Sequence, residues 1–350
     1  MPRAHARPRW LRDPSFDRRP LASLCLPGSH DSGAYVLQHR LAPAAAQQVR
    51  AAAEARRVAP LIRALGLFPA IAAWSRAQRQ PIATQLHDGI RLLDLRLCEA
   101  QGRYWIHHGL LGPELTSVLD DIAAFLEAAP TEFVVVRATK FAVGARGHDP
   151  LVRAVVSRLG DRLFGRGDAH AAAGSPAPLL VQALRGRVVW FYEPDDGNDV
   201  ARRDARFWGS STQLYADHWC PRATDEAALA RCQERAFRIA PGPFHLQWIL
   251  TPQPAACARD ALRRATRQAP RHAADRHPYG LERLSATLDP ARLRRFVDAL
   301  ATATSGRAHV AAISTDMYED SGSIPLAVTA SRQPPRGAMA RAPVQVMDAS

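Results

Sequence analysis

Short apolar runs alternate with helix-like stretches along most of the chain. Continuous apolar runs are typical of buried parallel strands, and the clearest lie at residues 21–26, 90–97, 132–140, 187–192, 244–252 and 308–316. Weaker runs lie at 103–107 and 213–215. Apolar residues recur at helical spacing, which predicts helices at 116–128, 151–163, 225–238, 255–268 and 290–302. About eight strands that mostly alternate with helices predict an α/β fold, a distorted (β/α)8 barrel of the TIM type.

Four features depart from a regular repeat of strand and helix. The loop between 90–97 and 103–107 is too short for a crossover helix. Residues 42–80 predict a helical insertion after the first strand, because their first half, 44–57, is rich in alanine. Residues 1–20 predict an irregular lead-in to a barrel spanning 20–320, and 325–350 a loosely ordered tail.

The second half of the insertion crowds apolar residues between arginines. An apolar stripe with basic flanks and a tryptophan, here Trp74, is typical of a helix lying in a membrane interface. A helix packed on the barrel rim has the same pattern. Both interpretations stay open at this stage.

The 350 residues carry a formal net charge of +13, and Lys140 is the only lysine. The arginine excess reflects either compositional bias or attraction to an anionic surface such as phospholipid. No nucleic-acid-binding motif accompanies it, so we expect no nucleic-acid partner. No apolar signal-peptide core and no run long enough to span a bilayer is present, which predicts a cytoplasmic or peripheral-membrane location. We also expect a monomer.

The five cysteines are widely scattered, odd in number and without a CxxC pair. This pattern predicts neither a disulfide scaffold nor a zinc site. Cys25 and Cys98 lie in or beside predicted strands, where cysteine fills space as a small apolar residue.

Candidate chemistry begins at residues 27–32, which read Pro-Gly-Ser-His-Asp-Ser. The apolar run before them predicts a buried strand, and Pro27-Gly28 predicts a sharp turn. His30 and Asp31 then follow the end of a strand, where barrels place catalytic residues. Taken alone, the pair is equally typical of a hydrogen-bonded cap.

Two further motifs change this interpretation. A strand reads Gly-Ile-Arg-Leu-Leu-Asp-Leu-Arg at residues 89–96, and a His-His-Gly end follows at 107–109. The three stretches together resemble the X domain of the phosphatidylinositol-specific phospholipase C (PI-PLC) family, chiefly its bacterial-type and X-domain-only members. The Gln-Trp-Ile-Leu-Thr-Pro run at 247–252 resembles the X-domain-only members as well. The resemblance implies an irregular barrel and cleavage of a phosphodiester.

The resemblance also implies roles for five residues. His30 would be the general base on the inositol 2-hydroxyl, and Asp316 would orient its imidazole. His108 would be the general acid for the diacylglycerol oxygen, with Asp31 positioning it. Arg96 would bind the phosphate. The products would be a cyclic inositol phosphate and diacylglycerol.

Histidine 108 is favoured over His107 because the motif keeps the His-Gly junction, and adjacent strand residues point to opposite faces. Arg96 also bears on the metal question, because calcium-dependent relatives carry a second carboxylate at that place. A cation there predicts that the site uses no metal, and we expect no cofactor. Asp94 would then pair with an arginine or orient the site.

Substrate contacts are predicted less sharply. The strand register places either Thr139 or Lys140 at the pocket, and Lys140 would set a compact charge near the phosphate. Tyr215, Asp217 and Trp219 follow a strand end where relatives contact the inositol ring, although an ordinary rim loop has the same composition.

The preferred hypothesis is therefore a metal-independent phosphodiesterase acting on phosphatidylinositol-type lipid at a membrane surface. One alternative is a metal-dependent phosphodiesterase for another anionic lipid or a glycerophosphodiester. The other is a non-catalytic lipid-binding barrel.

Overall fold

The computed structural model describes residues 9–43, 60, 63–168, 175–209, 214–253, 257, 280–303 and 308–333. Within these ranges the strands are β1 (Leu26–Ser29), β2 (Leu92–Ala100), β3 (Arg103–His108), β4 (Leu110–Glu114), β5 (Val134–Ala142), β6 (Val188–Glu193), β7 (Ala216–Asp217), β8 (Pro243–Trp248) and β9 (His309–Thr315). The helices are α1 (Phe68–Ser75), α2 (Ile82–Asp88), α3 (Leu115–Ala128), α4 (His148–Leu159), α5 (Val181–Leu184), α6 (Val200–Arg203), α7 (Glu226–Ile239), α8 (Leu281–Ser285), α9 (Pro290–Ala303), α10 (Tyr318–Ser321) and α11 (Ser323–Arg332).

Parallel strands form the barrel wall in the order β7-β8-β9-β1-β2-β5-β6. The β3–β4 hairpin turns back antiparallel from β2, as the short connection predicts. Among the described residues no ladder joins β6 to β7, and the Arg137 guanidinium of β5 reaches Asp217 of β7 at 2.6 Å. The predicted α/β architecture, a distorted barrel of the TIM type, is confirmed.

Most predicted strands overlap an observed one, but three local predictions are wrong. The weak strand at 213–215 is instead the two-residue β7, and no strand was expected where β4 lies. Residues Leu21–Ser23 form a 3-10 turn, so the first strand begins later, at Leu26. The predicted helix at 255–268 and the alanine-rich helix at 44–57 lie outside the described residues.

The predicted turn at Pro27-Gly28 is also wrong, because both residues lie inside β1. A Cβ atom on Gly28 would come within 2.2 Å of the Ser314 Oγ, so only glycine lets β1 approach β9 this closely. The Pro27 carbonyl accepts the Arg91 N–H at 2.8 Å. The sharp turn comes later, at Asp31, where φ is +42°.

The chain ends are more ordered than the sequence predicts. In the lead-in, Trp10, Leu11 and Phe16 are buried in short 3-10 turns. Helix α11 covers the first part of the predicted loose tail, through Arg332, and its Ser331 Oγ bonds the backbone N–H and carbonyl of Cys25 at 2.9 and 2.8 Å. Helix α11 forms because it buries an apolar face against β1. Residues 1–8 and 334–350 lie outside the described ranges.

The described part of the insertion is helical, as predicted, and packs on the barrel rim. Arg76 and Arg79, two of the flanking arginines, pair with Glu282 of α8, each at 2.9 Å. Phe68 is buried and stacks on His39. These contacts favour the rim interpretation for residues 68–79; Leu61 and Ile62 lie outside the described residues. None of the helices in the described ranges is long and apolar enough to cross a bilayer.

The cysteine prediction is wrong in one respect, because a disulfide joins Cys220 and Cys232. Their sequence separation of 12 carries no recognisable motif, so only the fold brings them together. Cys25 and Cys98 are buried free thiols, and burial raises the pKa of Cys98 to about 12. They fill the core, as expected.

An ion pair at the N-terminal end of the barrel links the lead-in to the core. Arg91 Nη2 lies 2.7 Å from Glu132 Oε2, and both side chains are 0% exposed. Arg91 also donates to the carbonyls of Leu86 and Ile90, and Glu132 accepts the Leu11 N–H. Removing one partner would leave the other charge buried without compensation.

We therefore expect Arg91→Met to lower the free energy of unfolding by about 3 kcal/mol. Arg103→Met is the matched control, because its pair with Glu114 is exposed and should contribute less than about 1 kcal/mol. Urea unfolding followed by circular dichroism measures both. Equal stability of the two variants would contradict the assignment.

Candidate active site

Polar side chains from several strands meet at the C-terminal end of the barrel. His30 follows β1, Asp316 follows β9, and Arg96 lies near the end of the parallel part of β2. His108 is the last residue of β3. His30, Arg96 and Asp316 meet because the C-terminal ends of parallel strands share one face of a barrel. His108 reaches them because β3 runs back antiparallel along β2, with Ile106 opposite Leu97.

The His30 imidazole is held between two carboxylates. Its Nδ1 lies 2.8 Å from Asp316 Oδ1, and its Nε2 lies 3.3 Å from Asp31 Oδ2. The Arg96 Nη2 is 3.2 Å from the same Nε2. In the neutral ring, Nδ1–H donates to Asp316 and leaves the Nε2 lone pair facing the site. This is the arrangement a general base requires.

Asp31 lies at the centre of the group. Its carboxylate contacts the Arg96 Nε through Oδ1 and lies 3.3 Å from the His108 Nε2 through Oδ2. Its side chain is 1% exposed, and its backbone N–H donates to Asp94 Oδ2 at 3.1 Å. One buried carboxylate thus bridges the two imidazoles and the guanidinium.

The two adjacent histidines of β3 have different surroundings. His108 Nδ1 donates to the Ser75 carbonyl at 2.7 Å, so the last residue of α1 turns the His108 Nε2 toward Asp31. His107 Nε2 instead lies 3.0 Å from the Lys140 carbonyl. The structure therefore brings His108, and not His107, onto Asp31, as the His-Gly junction predicts.

The electrostatic coupling of the group fixes its charges. Burial alone would lower the pKa of His30, but the Asp31 and Asp316 carboxylates outweigh burial and raise it to about 9. Burial would raise the pKa of Asp31, yet Arg96 and the two histidines bring it down to about 2. Burial raises the pKa of Asp316, against the effect of His30. In the free site, Asp31 is an anion and His30 is largely protonated at neutral pH.

Strand register decides between the two candidates on β5. Arg96 of β2 pairs with Thr139, and the Thr139 hydroxyl lies 3.4 Å from Asp94 Oδ1. Lys140 is directed away and pairs with Asp195 at 3.2 Å, with its side chain 62% exposed. Of the two alternatives that the sequence left open, the alternation of side chains along β5 favours Thr139 at the inner position over Lys140, which was expected to set a charge near the phosphate.

A second polar group lies beside the first, and of its members the sequence analysis predicted only Asp217. Arg137 bonds Asp217 at 2.6 Å and Glu193 at 3.0 Å. Gln247 donates to Asp217 at 3.2 Å, and the buried His245 lies 3.9 Å from it. Arg137 stands two residues before Thr139, so the alternation of β5 was the available signal.

The three predicted ring contacts fall in different places. Asp217 belongs to the second group, with a pKa that burial would raise but that Arg137 and His245 lower. Tyr215 is buried beside Arg137 and Glu193, and its hydroxyl has no hydrogen-bond partner among the described residues. Trp219 is 53% exposed on the rim and donates from Nε1 to the Thr251 hydroxyl at 3.1 Å.

Comparison with curated proteins finds several relatives, each similar to part of this chain. No protein-family model matches the chain. The human PI-PLC X domain-containing protein 2 is 30% identical over 188 residues, which are 52% of this chain and 55% of that protein. A 1-phosphatidylinositol phosphodiesterase of Staphylococcus aureus is 28% identical over 127 residues, 35% of this chain and 31% of that protein. The chain thus spans about half the length of the first curated relatives it matches, and less of others.

Solved structures agree on the fold. The phosphatidylinositol-specific phospholipase C from Listeria monocytogenes superposes with a TM-score of 0.55 at 14% identity, covering 94% of this chain and 100% of that one. A Staphylococcus aureus PI-PLC gives a TM-score of 0.59 at 15% identity, covering 94% and 98%.

The predicted resemblance to the PI-PLC X-domain family is confirmed.

One cluster of this barrel has the ligand types for a metal. Among the described residues, His30, Asp31 and Asp94 place one ligand atom each within 4.8 Å of one another. The Arg96 guanidinium already contacts Asp31 and lies 3.2 Å from His30 Nε2. A divalent cation at this point would face a fixed positive charge, so this donor set fits calcium poorly.

Proposed function

We propose that the chain is a PI-PLC-type phosphodiesterase that cleaves phosphatidylinositol-type lipid to cyclic inositol phosphate and diacylglycerol. The observation that carries the proposal is the bridge that Asp31 forms between His30, His108 and Arg96. The two imidazole rings have centroids 6.5 Å apart, and the Nε2 atom of each lies 3.3 Å from Asp31 Oδ2. This arrangement suits an in-line displacement at phosphorus with a proton acceptor and a proton donor.

In the proposed reaction, His30 Nε2 takes the proton of the inositol 2-hydroxyl, whose oxygen attacks phosphorus. The bond from phosphorus to the diacylglycerol oxygen breaks, and His108 Nε2 gives that oxygen a proton. Arg96 binds the non-bridging oxygens as their charge grows. Asp316 orients His30 and stabilises its cation, and Asp31 does the same for His108.

The second polar group is proposed to hold the inositol ring. Arg137, Asp217 and Glu193 offer a fixed donor between acceptors, which matches the alternating hydroxyls of a polyol. Asp94 and Thr139 link this group to the phosphate end. Trp219 and Tyr215 would frame the ring, whereas Lys140 would act at most from the rim.

The protein is proposed to work on an anionic phospholipid surface, since its formal net charge is +13. It is further proposed to work as a monomer. A nucleic-acid partner is not proposed, because the sequence carries no nucleic-acid-binding motif. Leu65 and Trp219 are 50% and 53% exposed and could enter the interface. The Cys220–Cys232 disulfide favours an oxidising compartment over the cytoplasmic location expected from the sequence.

The test uses phosphatidylinositol in mixed micelles with excess EDTA, and phosphorus NMR to identify the product. We expect cyclic inositol phosphate from the wild type at an unchanged rate in EDTA. Turnover that requires an added divalent cation would overturn metal independence and favour the alternative of a metal-dependent phosphodiesterase. Lipid binding without turnover under either condition would favour the non-catalytic barrel.

A further inference from the structure

Strand β7 positions Asp217 but has little hydrogen bonding of its own. It comprises two residues and pairs only with β8, through Ala216 with Phe244 and Asp217 with His245. In the described ladder, its other edge has no strand partner. A strand this short cannot by itself hold a side chain to the tolerance that substrate binding needs.

A covalent bond fixes the segment immediately after β7. Cys220, three residues past Asp217 and 2% exposed, is bonded to Cys232 in helix α7. Gln233, the next residue of the helix and 0% exposed, donates from Nε2 to the His218 carbonyl at 2.8 Å and to the Cys220 sulfur at 3.4 Å. Two consecutive helix residues therefore hold the loop that carries Asp217 and Trp219.

Helix α7 is itself anchored to the barrel. Its buried residues include Leu229 and Phe237. The Phe237 ring packs edge-on against Phe244 of β8, with centroids 5.5 Å apart. The path from the barrel through α7 and the disulfide to the residues after β7 is continuous. It does not pass through the elements of the histidine group, in which His30 follows β1, Arg96 lies on β2, His108 ends β3 and Asp316 follows β9.

We propose that the Cys220–Cys232 disulfide and Gln233 are positioning groups for Asp217, so that the redox state of the cysteines sets the affinity for the head group. The proposal rests on the proposed function, in which Asp217 binds the inositol ring. A dithiol supplies the two electrons and two protons that break the S–S bond, leaves two thiols, and is itself oxidised to its cyclic disulfide. Breaking this disulfide, here called the clamp, loosens residues 214–220 around β7, here called the β7 loop. It leaves His30, His108 and Arg96 in place.

The experiment compares oxidised and dithiothreitol-reduced full-length protein, with Cys220→Ala/Cys232→Ala as the clamp-free variant and Cys257→Ala as the matched control. Thiol titration of the denatured oxidised chain should find three thiols, those of Cys25, Cys98 and Cys257. Reduction should raise KM for phosphatidylinositol about tenfold, the effect of losing one hydrogen bond to a charged group, and change kcat less than about twofold. The double variant should have the KM of the reduced wild type, and dithiothreitol should not change it. The KM of Cys257→Ala should rise on reduction as the wild-type KM does.

Amide hydrogen exchange without substrate gives a readout that does not depend on activity. Reduction should speed exchange at least about tenfold in residues 214–220 and leave β1 and β9 unchanged. Unchanged exchange in that loop would overturn the proposal, even in an active enzyme. Five titratable thiols, or zinc bound by His218 with both cysteines, which lie close enough for it, would overturn it as well. Absence of turnover in both redox states counts against the proposed function, and the exchange result then decides whether the disulfide fixes the loop.

Discussion

Replacing His30 by alanine should lower kcat on phosphatidylinositol by roughly 10³-fold, the range expected when a general base is removed. The loss should fall on kcat more than on KM, because His30 acts on the proton of the attacking hydroxyl and the ring contacts lie elsewhere. Arg96 and His108 stay in contact with Asp31 in the variant, so phosphate binding should persist. Steady-state kinetics on mixed micelles measures the effect.

His107→Ala is the control that the chain itself offers. His107 is the same residue type at the same barrel mouth, but its Nε2 is engaged by the Lys140 carbonyl. We expect its activity to stay within about fivefold of wild type, since it contacts none of the proposed reacting groups. A large loss in His107→Ala with a small one in His30→Ala would reverse the assignment of the histidines.

The pH profile gives His30 a second signature. Its pKa is raised to about 9, and the base must be deprotonated to act. In the free enzyme, kcat/KM should therefore rise with pH below about 9, by up to about tenfold per unit, as long as His108 keeps the proton that it donates. This limb should disappear in His30→Ala. A wild-type profile that levels well below neutrality would argue against His30 as the base.

Local pattern was enough to predict the parts of the fold that depend on local burial. Strand β5 has a continuous apolar centre because both of its faces are covered, and its predicted position is within two residues of the observed one. Helix α3 likewise shows its buried face as apolar spacing. His30 and Arg96 could be brought together from topology alone, since each lies at or near the end of a parallel barrel strand. His108 reaches them on the antiparallel strand β3.

The features that were missed depend on contacts between distant residues. Gly28 belongs to a strand because Ser314 of β9 leaves no room for a side chain, and no local pattern contains that fact. Arg137 meets Asp217 across 80 positions, and Cys220 meets Cys232 only once the β7 loop is folded onto α7. Helix α11 was assigned to the tail because the sequence after Pro325 has turn residues and little apolar periodicity, whereas the helix depends on its contacts with β1.

Arg96→Met should lower kcat/KM by roughly 10³-fold, and Arg96→Lys by roughly 10²-fold. The guanidinium contacts Asp31 through Nε and approaches His30 through Nη2, so its planar fork holds two groups at once. Lysine keeps the positive charge but lacks the planar fork. A smaller loss of kcat/KM in Arg96→Lys than in Arg96→Met therefore measures the contribution of the charge, and the remaining loss measures that of the geometry. Arg103→Met, with a side chain 65% exposed before substitution, is the control and should keep near wild-type activity.

Replacing Arg96 removes one partner of the buried Asp31 carboxylate, so the variant's stability must be measured together with its activity. Without the guanidinium its carboxylate keeps His30 and His108 as partners, so we expect Arg96→Met to fold with a lower melting temperature. Circular dichroism should establish folding before kinetics are compared. If folded Arg96→Met kept activity within about fivefold of wild type, phosphate stabilisation would have to come from another cation, and Arg137 would be the next residue to replace.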